Sequence, residues 1–434
     1  MSLLEIESRP SVLLCARLWW PSSARLAMAF LNHGCRVSAV CPPGHPLRCV
    51  SKIGAIHPYN ALGSLRSLKA AILAEDPSLI IPCDDGVVWQ LHELHANEPK
   101  LRPLIERSLG SPEAYPAIQK RGEILRVAGE LGIRVPLTET VKSIEDLKGW
   151  CLDAPAVLKL DGTWGGEGVA IVHSQAEAIR GFRSTFGAAK IGVAWKRFLI
   201  NRHPVALWFT RKRKSKSVTI QEFIPGRPAT TMFACWDGEV LASITVEVLA
   251  SQGATGSAIV VRLLKHDEIE RAARLLARQF KLSGFHGLDF ILEEGTGSAY
   301  MIELNPRATQ LGHLSFYSHD DLAGVMAAKL GEAIAYPVAS QVRCQKDTVA
   351  FFPQAFKANP KSAYLTQAYH DVPWEEPALV RELLRDSWPD RQFLNRIFRN
   401  FRARKGLTAR LESSSTLHVE TSRLTRSSTT AAGK

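Results

Sequence analysis

The sequence predicts a mixed α/β and α+β chain, in which a small parallel α/β domain precedes a larger α+β domain. Over residues 11–110, the apolar runs SVLLC and RVSAVCP alternate with helical segments such as SSARLAMAFLNHG, and this order is typical of a parallel sheet. From residue 111 onward, the β-like runs AVLKL, VAIVHS, SVTIQEFIPG and EVLASITVEV follow one another with turns between them. Because 46% of the 434 residues are apolar, the chain can bury a sizeable core.

The elements of the first domain have recognisable boundaries. The helix after SVLLC is predicted to be capped by Ser22 or Ser23 and to end at Gly34. SLRSLKAAILAEDP and SLIIPCDDG then repeat the alternation, and Asp84 and Asp85 follow the last strand. We predict that these two aspartates cap a helix, with a contribution to a substrate site as the alternative. No GxGxxG follows the first strand, so a dinucleotide site is not supported.

The second domain is predicted to begin with a helix that Ser111 and Pro112 start and Gly132 ends. Strands and the helix DEIERAARLLARQF follow, and the last two strands, GLDFIL and AYMIEL, are joined by the hairpin-length loop EEGTG. The predicted parts of the chain are a flexible N-terminus (1–10), the α/β domain (11–110), the α+β domain (111–345), a C-terminal segment packed on the core (346–390) and a basic tail (391–434).

Composition excludes several classes of protein. No run of 18 apolar residues predicts a membrane span, and the N-terminus MSLLEIESRP has no signal-like apolar region, so we expect a cytoplasmic protein. The eight cysteines form no CxxC pair and no Cys/His cluster at zinc spacing, which argues against a disulfide framework or a structural metal.

The net charge of +12 is concentrated in the tail, where ten Lys and Arg stand against two Glu from Arg391 onward. This tail is rich in Ser and Thr and has few apolar anchors, so we predict a disordered, solvated segment. Contact of the tail with nucleic acid or with a membrane surface is the less favoured alternative.

The run AYMIELNPRATQ carries the first chemical signal. Side chains of a strand alternate between faces, so Glu303, Asn305 and Arg307 share one face, and Pro306 ends the strand. In the neighbouring strand GLDFIL, Asp289 is expected to lie near Glu303. Carboxylate and amide oxygens suit Mg²⁺; the alternative is a polar strand face that simply meets water.

The run AVLKLDGTWGGEGVAIV carries the second signal. Gly165, Gly166 and Gly168 lie between two β-like runs, and Lys159 precedes them. Such a loop can present successive backbone N–H groups to an anion. Because neither GKS nor GKT follows, it is not a P-loop, and a plain flexible hairpin is an equal alternative.

These pieces, in this order, resemble the ATP-grasp superfamily, which includes D-alanine-D-alanine ligase, biotin carboxylase and the large chain of carbamoyl phosphate synthetase. The resemblance covers roughly residues 111–345, and its strongest piece is IELNPR, close to the E-x-N-x-R signature of the superfamily. It implies a small parallel α/β pre-ATP-grasp domain followed by a two-lobed ATP-grasp domain, with lobes of about 150–226 and 227–345.

The resemblance implies that Glu303 bridges two Mg²⁺ ions, with Asp289 and Asn305 completing the protein ligands. Arg307 would face the transferred phosphate or the intermediate. The implied cofactors are ATP and Mg²⁺, with Mn²⁺ as a substitute.

The resemblance also implies a nucleotide site. Lys159, together with Lys120 in AIQKRGEIL, would hold ATP phosphates, although Lys120 also fits an ordinary surface lysine. QEFIPG resembles the hinge between the lobes, where Glu222 and backbone groups up to Ile224 would meet adenine. The acidic residue that often follows this hinge to hold the ribose is absent, since the chain continues with Arg227.

The implied reaction is activation of a small-molecule carboxylate by ATP, giving an acyl phosphate that an amine attacks. An ATP-dependent carboxylase or a kinase-like enzyme would use the same ATP site with a different acceptor. A third alternative is a regulatory module that binds ATP without turnover, tethered by the basic tail.

Overall fold

The computed structural model describes residues 9–150, 154–160, 168–186, 218–253, 256–316, 321–331, 344, 346–387 and 391. The predicted loop glycines Gly165 and Gly166, the first eight residues and the tail beyond Arg391 lie outside the described residues.

The first domain is built on four parallel strands. They are β1 (Ser11–Cys15), β2 (Arg36–Cys41), β3 (Ile56–Pro58) and β4 (Leu79–Pro82). The sheet order is β3-β2-β1-β4, which confirms the predicted parallel α/β domain. The helices of this domain are α1 (Pro21–Asn32), α2 (Ser64–Glu75), α3 (Asp85–Asn97) and α4 (Arg102–Leu109), with 3-10 turns at Pro46–Cys49 and Pro99–Leu101.

Helix starts in this domain follow the chemistry of the first turn. Of the two predicted caps, Asp84 caps α3, because its carboxylate accepts hydrogen bonds from the backbone N–H groups of Gly86 and Val87. The prediction is wrong for Asp85, which is the first residue of the helix and whose carboxylate bonds Arg307 instead. The predicted caps of α1 are wrong. The residue before α1 is Trp20, and Pro21 occupies the first turn, where a fixed φ and a missing N–H cost nothing. The hydroxyl of Ser23 instead donates to the Trp20 carbonyl.

The start of the second domain differs from the single helix predicted between Ser111 and Gly132. The structure has a 3-10 turn, Pro112–Ala114, then α5 (Tyr115–Ile118) and α6 (Arg121–Glu130). Lys120 breaks the run with an extended backbone, φ −120° and ψ 108°. A Cβ on Gly122 would lie 3.1 Å from Oγ1 of Thr140, so α6 begins in close contact with the neighbouring strand. Tertiary packing therefore decides where this helix starts.

A small antiparallel sheet follows. Its strands are β5 (Thr138–Val141), β6 (Ala156–Leu160), β7 (Val169–Val172) and β8 (Val218–Glu222), in the order β5-β8-β6-β7. Helices α7 (Ile144–Gly149) and α8 (Gln175–Phe186) accompany it. The capping box of α7 joins Ser143 and Asp146.

The largest sheet has seven strands. They are β9 (Gly226–Trp236), β10 (Glu239–Ser251), β11 (Ala258–Leu263), β12 (Gly284–Glu293), β13 (Ala299–Asn305), β14 (Thr348–Phe351) and β15 (Tyr369–Asp371), in the order β13-β12-β9-β10-β11-β14-β15. The helices of this part are α9 (Asp267–Gln279), α10 (Leu322–Leu330), α11 (Gln354–Ala358), α12 (Tyr364–Gln367) and α13 (Pro377–Leu384).

The two faces of the large sheet bury different partners. On one face, Met232 and Ile244 join a core shared with Val12 of β1 and Leu26 of α1. On the other face, Phe233 packs with residues of α6 and α9. The N-terminal domain therefore lies directly against the large sheet, which brings the carboxyl ends of β1 and β4 close to the end of β13. Within the part of the chain described, no helix is long and apolar enough to cross a membrane.

Candidate active site

The hairpin of β12 and β13 brings the predicted acidic residues together. Asp289 lies directly opposite Glu303, and Gly287 lies opposite Asn305, in an antiparallel pairing. The pairing of GLDFIL with AYMIEL is thus confirmed. A register shift follows Asp289; such a bulge bends a strand locally and re-aims its side chains.

Each acidic side chain has a different partner. The Asn305 amide Nδ2 donates to Oδ2 of Asp289 at 2.9 Å. The guanidinium of Arg121, in the first turn of α6, donates through Nη2 to Oε1 of Glu303 at 2.6 Å. The two carboxylates therefore share one sheet face, with one of them paired to a cation.

The two carboxyl groups respond in opposite ways. Burial and the neighbouring charge of Glu303 raise the pKa of Asp289 above its ordinary value. Burial also acts to raise the pKa of Glu303, but Arg121, Lys159 and Arg307 outweigh it, so this pKa is lowered. Like charges that face each other push their pKa values apart, and Asp289 is the member of the pair whose charged form is disfavoured.

Lys159, on β6, approaches the same cluster from the small sheet. Its Nζ donates to Oε1 of Gln221 on β8 at 2.7 Å, and its side chain is buried. Burial first, and then the charge of Arg121, lower the pKa of Lys159 to about 8, while Glu303 and Asp289 act in the opposite direction. This amine is therefore a cation near neutral pH that can lose its proton under mildly alkaline conditions.

Arg307 follows the end of β13 and reaches the N-terminal domain. Its Nε donates to Oδ2 of Asp85 at 3.1 Å, and its Nη2 donates to Oδ1 of Asn305 at 3.2 Å. The guanidinium thus lies between the first turn of α3 and the amide of the hairpin.

The remaining predicted residues lie around this cluster. Lys120 is exposed, while the next residue, Arg121, pairs with Glu303. Glu222 ends β8 and Ile224 lies in the connection from β8 to β9, so both stand between the small and the large sheet. Gly168 closes the glycine-rich loop with φ +77°.

Sequence reasoning missed Arg121 and Gln221. The letters QKR at the start of α6 offered two adjacent cations, and only the helix start decides which one turns inward. Gln221 alternates with Glu222 along β8, so strand periodicity alone would have placed the two on opposite faces.

His313, close after Arg307, does not join the hairpin residues. Its Nε2 lies 2.7 Å from Oδ2 of Asp371 on β15, and both side chains are almost fully buried. Arg25 of α1 pairs with the other oxygen of Asp371. This histidine therefore ties the loop after β13 to the C-terminal strand.

The donor set fits a hard cation. Among the described residues there is no group of three or more His, Cys, Asp and Glu side chains that could hold a metal. The hairpin itself offers two carboxylates and the amide of Asn305. Oxygen donors of this kind suit Mg²⁺, which keeps several waters and is completed by substrate phosphates. The unequal pKa values of Asp289 and Glu303 agree with a site that gains from positive charge.

Comparison with known proteins gives the same architecture. Residues 205–310 match the ATP-grasp domain family in sequence, and no curated protein matches the chain. N5-carboxyaminoimidazole synthetase from Staphylococcus aureus, solved with ADP, is 14% identical, with a TM-score of 0.53 over 75% of this chain and 78% of that chain.

Two further solved structures share the fold. L-amino acid ligase from Bacillus licheniformis is 13% identical, with a TM-score of 0.53 over 74% of this chain and 75% of that chain. Biotin carboxylase from Campylobacter jejuni, in a β-γ-ATP complex, is 15% identical, with a TM-score of 0.52 over 75% of this chain and 72% of that chain. The α/β domain and the two following sheets therefore share the fold of these solved structures, and the stretch 205–310 is the part of the chain that matches the ATP-grasp domain in sequence.

Proposed function

We propose that this protein is an ATP- and Mg²⁺-dependent ligase that activates a small-molecule carboxylate as an acyl phosphate, which an amine then attacks. The observation that carries the proposal is the hairpin pair of Asp289 and Glu303, two facing carboxylates with oppositely shifted pKa values. Support comes from the solved structures of similar fold, which include an amino acid ligase and proteins bound to ADP or an ATP-type ligand.

Each side chain of the cluster has a task in this reaction. Glu303, Asp289 and Asn305 would hold Mg²⁺, which supplies charge neutralisation at the phosphate oxygens. Lys159 would bind the phosphates from the small sheet, and Arg121 would do so once Mg²⁺ replaces it at Glu303. Phosphoryl transfer needs positioning and neutralised oxygens more than it needs a covalent nucleophile.

Arg307 has the remaining task. Its Nη2 lies 3.2 Å from Oδ1 of Asn305, which puts its positive charge next to the proposed metal ligands. We assign to it the stabilisation of the transferring phosphoryl group and of the acyl phosphate. An arginine suits this task because its charge is permanent and its fork of donors matches phosphate oxygens.

An ATP-dependent carboxylase is the second candidate, because N5-carboxyaminoimidazole synthetase and biotin carboxylase also share the fold. It would use the same residues for ATP with bicarbonate as the acid. Bicarbonate therefore belongs in the substrate panel beside the organic acids.

The test is release of ADP and phosphate from ATP and Mg²⁺ against a panel of amino acids, small carboxylic acids and bicarbonate. We expect one class of acid to stimulate ADP release, and Glu303→Gln to abolish the stimulation. Glu293→Gln is the matched control. Glu293 lies on the same hairpin, and its side chain accepts a hydrogen bond from the hydroxyl of the exposed Thr296.

Two outcomes would contradict the proposed ligase activity. ADP release that an acid still stimulates in Glu303→Gln would contradict the proposed role of the hairpin in binding Mg²⁺. ATP binding without stimulation by any acid would favour a regulatory module that binds nucleotide without turnover.

A further inference from the structure

An ion pair joins the two domains at the candidate active site. Asp85, the first residue of α3, and Arg307, just beyond β13, are 222 residues apart in sequence, yet Oδ2 of the one lies 3.1 Å from Nε of the other. Both side chains are largely buried. The arginine next to the hairpin therefore has its directly bonded carboxylate on the N-terminal domain, while Glu303 of the hairpin acts on it only as a neighbouring charge.

The contacts of Asp84 hold the first turn of α3, which carries Asp85. The neighbouring Asp84 caps α3 through Gly86 and Val87. Asp84 also accepts hydrogen bonds from the backbone N–H of Arg17 at 2.7 Å and from its Nε at 2.8 Å. This buried ion pair fixes the first turn of α3 against the end of β1.

Gly86, in the first turn of α3, lies against the side chain of Arg17. A Cβ at this residue would lie 1.8 Å from the guanidinium carbon of Arg17, so the guanidinium rests directly on the glycine backbone. A larger residue would displace the guanidinium of Arg17 from this position beside Asp84. The glycine therefore allows Arg17 to pair with Asp84 directly beside the first turn that carries Asp85.

Arg307 is consequently held from two sides. Its Nε is bonded to Asp85, which leaves Nη2 directed at Oδ1 of Asn305 at 3.2 Å. An arginine side chain has many rotamers, and ordering it costs entropy. The two fixed partners reduce that freedom before any substrate binds.

We propose that Asp85 is a positioning residue for catalysis: it orients the Arg307 guanidinium toward the phosphoryl group that is transferred. This inference rests on the proposed function, which gives Arg307 its task. Asp85 acts through Arg307, and the N-terminal domain thereby contributes to catalysis by electrostatic orientation.

The test compares Asp85→Asn with wild type in the ADP-release assay, once the stimulating acid is known. Asparagine keeps the size of the side chain and one acceptor oxygen but removes the charge. We expect kcat to fall about 10- to 100-fold, as for other losses of an orienting partner. The KM for ATP should change less than about threefold, because Asp85 does not contact Lys159 or Arg121 in the described hydrogen bonds.

A matched control separates this role from general stability. Glu106→Gln also removes one carboxylate of the N-terminal domain that bonds a basic side chain, since Oε1 of Glu106 lies 2.7 Å from Nε2 of His95. Glu106 lies on α4 and does not bond Arg307 in the described residues. Its kcat should stay within about twofold of wild type. Where Asp85→Asn lowers the yield of folded protein, Asp85→Ser replaces it, because serine is accepted in the first turn of a helix.

A double-mutant cycle decides whether Asp85 acts through Arg307. In an Arg307→Gln background, followed by single-turnover cleavage of labelled ATP, adding Asp85→Asn should lower the rate less than about twofold, because the partner is already gone. An equal loss in both backgrounds, or no loss in the wild-type background, would overturn the positioning role. A wild-type protein that releases no ADP with any acid would instead refute the proposed function on which this inference depends.

Discussion

Two groups of polar side chains in this molecule each include an aspartate on a β-strand, and the two aspartates differ in their electrostatics. The hairpin cluster consists of Asp289, Glu303 and Asn305, and the Asp371 cluster consists of Arg25, His313 and Asp371. In the hairpin cluster two carboxylates face each other, and the pKa of Asp289 is raised by burial and by Glu303. In the Asp371 cluster one carboxylate receives two nitrogen donors from different elements.

The charged form of Asp289 is disfavoured and would gain from an added cation, whereas the charged form of Asp371 is already stabilised by its partners. Burial alone would raise the pKa of Asp371, but Arg25 and His313 lower it to about 2. Perturbed carboxylates that lack full compensation are typical of functional sites, whereas a compensated buried pair is typical of structural ones. We therefore propose that an aspartate serves chemistry on β12, whereas the aspartate on β15 joins two other elements.

The largest effect is expected from Asp371→Asn. Removing this charge leaves the largely buried Arg25 without its counter-charge, and breaking such a pair costs about 3–5 kcal/mol of unfolding free energy. Denaturant unfolding measures the loss, while kcat of the folded protein should remain within about twofold of wild type. Glu130→Gln, which breaks the exposed pair with Arg126, should cost less than about 0.5 kcal/mol.

The pH dependence of this pair has a defined sign. Because the pKa of Asp371 is about 2 in the folded protein against an ordinary value of 3.8, its stabilisation is present above about pH 4 and is lost as the pH falls toward 2. The stability difference between wild type and Asp371→Asn should shrink over that window. A difference that stays constant from pH 5 to pH 2 would show that the pair does not act through charge.

Asp289→Asn should lower activity and leave stability intact, the reverse of what is expected for Asp371→Asn. A folded-state pKa above the ordinary value means that the charged carboxylate is disfavoured by folding, so the variant should be as stable as wild type or more stable, by up to about 1 kcal/mol. Substrate-stimulated ADP release should fall about 100-fold, the size seen when one stabilising group of a transition state is removed. A variant that loses stability but keeps its activity would assign Asp289 to the structural class.

A smaller effect concerns the pH profile of ATP use. With a pKa of about 8 for Lys159, the cation is present below that pH and lost above it. The kcat/KM for ATP, which reports the free enzyme, should therefore fall about tenfold per pH unit above pH 8. In Lys159→Arg the decline should disappear, since a guanidinium keeps its proton; the same decline in both proteins would assign it to another group.

The smallest effect concerns competition for Glu303. Arg121 pairs with this carboxylate at 2.6 Å, in the place that the metal would need. Arg121→Gln should therefore strengthen binding of Mg²⁺ alone, by about fivefold for about 1 kcal/mol of lost repulsion and competition, and weaken binding of ATP. Calorimetric titration of each ligand measures both changes, and weaker Mg²⁺ binding would indicate that Arg121 supports the metal site.

Local patterns in the sequence account for much of the hairpin. Alternation along AYMIELN predicts that Glu303 and Asn305 share a face, and the short loop EEGTG predicts the pairing that brings Asp289 opposite Glu303. The strand and helix alternation over residues 11–110 likewise predicts the parallel sheet. These features depend on neighbours within a few residues or across a tight turn, and such information is present in any short window of sequence.

Contacts between distant segments could not be read in this way. Arg121 and Glu303 are 182 residues apart, and Asp85 and Arg307 are 222 residues apart. The inward turn of Arg121 in place of Lys120 depends on where α6 starts against β5, and the start of α1 at Pro21 depends on the exit of the chain from β1. Residue type and spacing predict which groups can bind phosphate or metal. Their partners are set by the packing of whole domains, because only the apolar cores shared by distant segments bring these charges together.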